Sequence, residues 1–305
     1  MKRGAILPSG VLINPPAEML GSVNAIYSGR ARRHLVENYA GPLSLKTMIS
    51  GAAFWHTEAG AQRVQATSFL VLNKGTSYTL EMNSREPAHT FVLFFKDGFV
   101  EDVQRCVNSK GKALLDDPSA DKPATDFVEA IHSAHGSRVG AVLGRVRRVW
   151  LGGGGALALE EEFRAVAVEL VRLQNEAARM VSATPSLRAA TRNELFRRVQ
   201  RARVLIDDSF ASNVGLHEMA AEACLSPHHF HRTFKEMHGV TPHQYVVGLR
   251  LAQAARLLRE TDLPVAAVCA HSGFESVPSF TTLFHARFRM PPSRYRRRAP
   301  KSKIR

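Results

Sequence analysis

The sequence predicts a multidomain α+β protein: a small β-barrel, then a helical segment, then an all-α domain built from two helix–turn–helix units. Three observations carry this. Short strand patterns recur at intervals of about eight to twelve residues between positions 30 and 96. An uninterrupted four-and-three spacing of apolar residues runs from Leu159 to Met180. The C-terminal third repeats itself, with Phe230, Phe234, Pro242 and Tyr245 returning fifty positions later as Phe280, Phe284, Pro292 and Tyr295. At 305 residues the chain is long enough for two separate cores.

In the first part, Leu43, Leu45, Thr47 and Ile49 alternate with a polar-leaning set, and Phe69 to Leu72 is a compact apolar run. Tyr78, Leu80 and Met82 alternate again, and Thr90 to Phe95 is almost wholly apolar. Turn signals stand between them at Ala40-Gly41-Pro42, Glu58-Ala59-Gly60, Asn73-Lys74-Gly75 and Asn83 to Pro87. The expected β domain covers 1–105. A helical segment and linker cover 106–186, with a break at Pro118 and Pro123, a helix near 139–151 and an interruption at Gly152 to Gly155. Leu159, Phe163, Val166, Leu170, Leu173, Ala177 and Met180 then form an a/d seam, which makes 156–182 a candidate dimerisation helix. The same seam also suits a helix packed on its own domain. Thr184-Pro185-Ser186 reads as a linker into the last domain, 187–305.

That domain opens with a helix over about 192–208, its apolar stripe Leu195, Val199, Ala202 and Ile206. A short helix follows from Leu216 to Ala223. Ser226-Pro227 then supplies an N-cap and a first-turn proline for a helix that ends before Gly239. Phe230 and Phe234, one turn apart, face inward, so His228, His231, Arg232 and Lys235 face out. Thr241-Pro242 starts a third helix by the same logic, running to about Thr261 with Tyr245, Leu249, Ala252, Ala255 and Leu258 on one side. At 1.5 Å per residue it is a rod of about 28 Å, close to the ~34 Å of one DNA turn. The second copy of the upstream helix (Val265, Val268, Cys269) stands forty-nine positions from the first (Leu216, Met219, Ala220), so its turn has gained one residue.

The net charge is +14, and residues 191–305 hold 19 Lys/Arg against 9 Asp/Glu. Removing Arg296, Arg297, Arg298, Lys301, Lys303 and Arg305 as a basic tail still leaves 13 against 9. A basic surplus around the repeat suits a polyanion such as double-stranded DNA. No apolar run approaches the length of a membrane span, the first residues lack a secretory apolar core, and Cys106, Cys224 and Cys269 form no ligand or disulfide spacing. The expected setting is a reducing cytoplasm.

Residues 195–297 resemble the DNA-binding domain of the AraC/XylS family of bacterial transcription regulators. The resemblance rests on LHEMAAEACLSPHHFHRTFKEMHGVTPHQY, LRLAQAARLL and VAAVCAHSGFESVPSFTTLFHARFRMPPSRYR, where spacing, caps and both core sets agree. It implies that the helices beginning at Ser226 and Ser276 are recognition helices. His228, His231 and Arg232 would meet bases in the first, and Val277, Ser279, Thr281 and Thr282 in the second. The family often has Arg where Thr282 stands, and a basic residue where His285 stands. Arg grips guanine with two hydrogen bonds, whereas Thr offers one hydroxyl and a methyl. The first copy is therefore expected to supply most of the base readout. The resemblance further implies a regulator, an activator type among them, working as a homodimer on promoter DNA with RNA polymerase as a partner. The N-terminal strands resemble the cupin-like sensor domain of the same family, which implies a response to a signal there; a partner-controlled or constitutive regulator without a small-molecule effector is the alternative, and a cupin-type metalloenzyme fused to a DNA-binding domain a minor one.

Competing readings are weaker. His228 and His231 share a helix face, but no third ligand stands at a suitable spacing and Arg232 would repel a cation. His217-Glu218 has Ala221 where a metalloprotease needs its second His. His56 and Glu58 on one strand face, with His34 and His89 elsewhere, do not make the compact His-x-His with Glu of a metal cupin. No enzyme activity, metal or other cofactor is expected. Trp55, Phe69, Tyr78 and Phe91 are core residues or, alternatively, the lining of a ligand cavity.

Overall fold

The computed structural model describes residues 10–108, 126–182 and 188–298. The expected break at Pro118 and Pro123, the linker at 184–186 and the end of the basic tail lie outside them. The chain divides into two compact units, Met1–Arg201 and Ala202–Arg305. It is a mixed fold, sheet-rich first and helical last.

The first unit contains β1 (Val11–Ile13), β2 (Asn24–Ala40), β3 (Ser44–Ser50), β4 (Ala52–Thr57), β5 (Gly60–Gln65), β6 (Ser68–Leu72), β7 (Ser77–Phe94) and β8 (Ile131–Ser133). Among the described residues, α1 (Phe99–Asn108), α2 (Arg138–Leu151) and α3 (Ala156–Ser182) accompany them. The strands join in the order β1-β2-β7-β3-β6-β8, and β4 pairs with both β5 and β7.

Two strands are far longer than the spacing of turn signals predicts: β2 has 17 residues and β7 has 18. The Asn83–Pro87 turn signal proves to be an irregularity inside β7. Ala31 pairs with Ala88 and Arg33 with Asn83, so Arg32 alone faces the four residues Ser84 to Pro87. A proline is tolerated there because the extra residues donate nothing to the ladder. Another reading changes at the β4–β5 hairpin. Glu58 lies in its turn rather than on the strand, and the carboxylate beside His56 belongs to Glu81 at 3.2 Å.

Both faces of β3 are buried, where alternation predicted one. Leu45, Phe69, Phe91 and Leu93 belong to a core shared with Val139, Val142 and Val146 of α2 and Leu159, Phe163, Val166 and Leu170 of α3. Phe69 and Phe91 are therefore helix-covered core. The opposite face carries Lys46, fully buried, whose ammonium donates to the Tyr78 hydroxyl at 2.8 Å. It sits 4.1 and 4.4 Å from the ring centres of Tyr78 and Phe94. Those rings replace part of the lost hydration, while burial holds the Lys46 pKa well below the usual lysine range and raises that of Tyr78.

The seam of α3 is thus occupied within its own unit. Leu159, Phe163, Val166, Leu170 and Ala177 are buried, and Leu173 packs partly buried against the same core. Arg145 of α2 reinforces the α2–α3 contact with an ion pair to Glu162 at 2.9 Å.

The second unit follows the predicted helices closely. The unit boundary falls inside α4 (Ala189–Ser209). Beyond it lie α5 (Leu216–Glu222), α6 (Pro227–His238), α7 (Pro242–Glu260), α8 (Val265–His271), α9 (Val277–Phe288) and α10 (Pro292–Arg298). All four residues of the α4 stripe are buried. The expected stripe of α7 holds in part: Ala255 and Leu258 are buried, but Ala252 is exposed and Leu249 half-buried, while Val246, Leu251 and Ala254 are buried beside it. The difference arises because α7 serves two cores. Tyr245, near its start, packs on Phe234 of the first copy, whereas Leu251, Ala254, Ala255 and Leu258 join Phe280 and Phe284 of the second.

Candidate nucleic-acid interface

Local caps build each copy. The Ser226 hydroxyl accepts from the His229 amide at 3.3 Å, and Ser276 accepts from Ser279 at 3.5 Å. Thr241 and Gln244 close a reciprocal capping box at the start of α7, with bonds of 3.2 and 2.9 Å. Inside, Phe230 and Phe234 are fully buried, as are Phe280 and Phe284. Their ring pairs are 5.5 Å apart in both copies. Each pair anchors one face of its helix and leaves the opposite face to solvent.

On α6, His228, His231, Arg232 and Lys235 are all exposed. On α9, Val277, Ser279 and Thr282 are exposed and Thr281 is half-buried. Two further residues were missed by sequence reasoning. Glu236 stands 3.9 Å from the Arg232 guanidinium, a loose i, i+4 ion pair on the exposed face of α6. Leu283 is exposed at 38 %, beside Val277 at 39 %, although its first-copy counterpart Thr233 is buried. The i, i+4 spacing of Arg232 and Glu236 was legible. Nothing local distinguishes Leu283 from a core leucine.

The two copies are held together rigidly. Tyr245 donates to the buried Asp207 carboxylate at 2.8 Å and accepts from Arg203 at 3.1 Å, fixing α7 to α4. Burial pushes its phenol up to about 12, which keeps that donor proton in place. Arg250 of α7 donates to the Phe210 and Ser212 carbonyls at 2.7 and 2.9 Å. Ala211, between them, lies against the turn of the second copy. A Cβ on Gly273, whose φ is +81°, would stand 2.7 Å from the Ala211 oxygen, so only glycine permits that approach. Its counterpart Cys224 also has positive φ. The residue gained in the second turn is Glu275, which faces solvent.

The C-caps differ. Gly239 ends α6 in the left-handed conformation, and Arg289 does so for α9 with φ 58°. An L side chain there costs about 1 kcal/mol relative to glycine. Arg289→Gly should therefore stabilise the protein by about 0.5–1 kcal/mol, read from the midpoint of urea unfolding. No gain would mean that the Arg289 side chain makes a compensating contact.

Residues 219–298 match the family described as the helix-turn-helix domain. Among similar proteins, the probable transcriptional regulator LumQ of Photobacterium leiognathi is 32% identical over 104 residues, 32% of this chain and 42% of LumQ. The HTH-type transcriptional activator RhaS of Shigella boydii is 36% identical over 87 residues, 28% of this chain and 31% of RhaS. The solved C-terminal domain of AraT, a response regulator from Geobacillus stearothermophilus, is 27% identical with a TM-score of 0.34, covering 35% of this chain and 91% of that one. The chain thus spans less than half the length of these two curated relatives. The duplicated caps and core and the matched segment together establish that residues 219–298 form a helix-turn-helix domain of the AraC type.

Proposed function

We propose that this chain is a sequence-specific DNA-binding transcriptional regulator in which α6 and α9 enter successive major-groove segments. The observation that carries the reading is the duplicated, exposed polar face opposite each buried Phe pair. In this reading His228, His231 and Arg232 contact bases and Lys235 a phosphate. Arg232 leaves its loose partner Glu236 to grip a guanine edge with two hydrogen bonds. Val277 and Leu283 suit thymine methyl groups, while Ser279, Thr281 and Thr282 contribute single hydroxyl contacts.

The same reading assigns residues 1–105 to a cupin-like sensor, 106–186 to a helical segment and 187–305 to the DNA-binding part, in a non-enzymatic cytoplasmic protein. It gives a homodimer that works with RNA polymerase and responds to an effector. Because the α3 seam is filled from within its own unit, the dimer contact belongs to another surface. No helix among the described residues is long and apolar enough to cross a membrane.

Arg232→Ala is expected to weaken binding to the cognate site by about 1–3 kcal/mol and to relax preference at one base pair. Thr282→Ala should cost less. Competition binding of the full chain to cognate and random duplexes tests both. An equal loss on the two duplexes for Arg232→Ala contradicts base reading.

A further inference from the structure

The irregularity in β7 creates a feature that the DNA-reading assignment does not use. The excursion of Ser84 to Pro87, braced by the Ser84 hydroxyl donating to the Glu86 carbonyl at 2.5 Å, stands opposite Arg32. Between them lies a surface depression of about 590 Å³ lined by Arg32, Arg33, Asn83, Ser84 and Arg85. All three arginines are exposed, and among the described residues none forms an ion pair within the chain. The lining includes no carboxylate. Every residue of the wall therefore offers a hydrogen-bond donor, and three positive charges line one depression with no carboxylate among them.

Three guanidinium groups sharing one depression repel one another, and an anion seated among them relieves that repulsion. Guanidinium forks match the oxygens of a phosphate group, which accept paired hydrogen bonds. The amide of Asn83 and the hydroxyl of Ser84 serve oxygens the forks leave over. The concave shape favours one compact anion over an extended backbone, whose charges are spaced along a line. We propose that this depression is a binding site for the phosphate group of a small solute. The proposal stands on the first unit alone, and its failure would leave the DNA-reading assignment intact.

The test is calorimetric titration of the full chain with inorganic phosphate at fixed ionic strength, comparing wild type with the Arg32→Gln/Arg85→Gln variant. Both side chains are exposed, so the variant keeps its fold. The expected result is a binding event in the wild type that the variant weakens at least tenfold, with any phosphate binding at the α6 and α9 surface unchanged. Identical titrations would overturn the proposal. A second arm measures the salt dependence of binding to a duplex. If the variant lowers that slope while leaving phosphate titration unaltered, the arginines serve the DNA backbone and the small-solute site is refuted. An unchanged slope together with lost phosphate binding supports it.

Discussion

Replacing His238 by Phe is expected to remove a loss of stability that the wild type suffers between pH 6.5 and 3. The His238 ring lies tilted against Phe234, 4.4 Å between centres, and its Nε2 is buried without a hydrogen-bond partner. Burial, aided by the nearby Arg203 guanidinium, pushes its pKa from 6.5 to about 3. The folded protein holds this ring neutral, while the unfolded chain takes up a proton below about 6.5. The stabilisation is complete above pH 6.5 and falls by about 1.4 kcal/mol per pH unit as the pH drops toward the folded pKa. At pH 5 the loss is already about 2 kcal/mol. The internal repeat supplies the replacement, since position 288, fifty residues on, is a Phe packed on Phe284 and Tyr295 at 4.5 and 5.1 Å. Urea unfolding of both proteins at pH 7.5 and pH 5 checks this. If the His238→Phe variant loses as much stability on acidification as the wild type, His238 is not the responsible group.

Leu170→Asp is expected to unfold the first unit rather than merely separate subunits. Leu170 is fully buried in the core that joins β3, β6 and β7 to α2 and α3. An unpaired carboxylate there, added to the lost apolar contacts, costs on the order of 4 kcal/mol or more. Leu173 packs at the margin of the same core, so Leu173→Asp should be milder. Near-ultraviolet circular dichroism and light scattering separate the outcomes. A Leu170→Asp protein that stays folded and turns from dimer to monomer would restore the intermolecular seam.

What could be read from the chain follows from where the determining interactions lie. Helices α6, α7 and α9 are bounded by caps within three residues of their ends, at Ser226, Thr241 and Ser276, and such signals are local. The inward Phe pairs were equally legible because they sit one turn apart. The buried face of α7 was only partly so: Ala255 and Leu258 followed from periodicity, whereas Leu251 and Ala254 depend on which of two cores each turn meets. In the first unit the determinants are distant. Lys46 is covered by Tyr78 and Phe94, residues 32 and 48 positions away, so alternation separates it from Leu45 but cannot show that its face is buried too. The same limit applied to β7, where Pro87 punctuates a strand instead of ending it. At the candidate interface, the exposure of His228, His231, Arg232 and Lys235 followed from helix periodicity. That of Leu283 needed the packing of α9 itself.

In the proposed reading one chain carries two rigidly linked DNA readers. The α7 rod of about 28 Å, the Arg250 bonds and the Gly273–Ala211 approach fix their separation. Hydroxyl-radical footprinting of the full chain on a duplex carrying a single half-site tests this directly. Two protected patches are expected on one face of the DNA, centred about one helical turn apart. A single patch, or two patches whose spacing varies between sites, would contradict it.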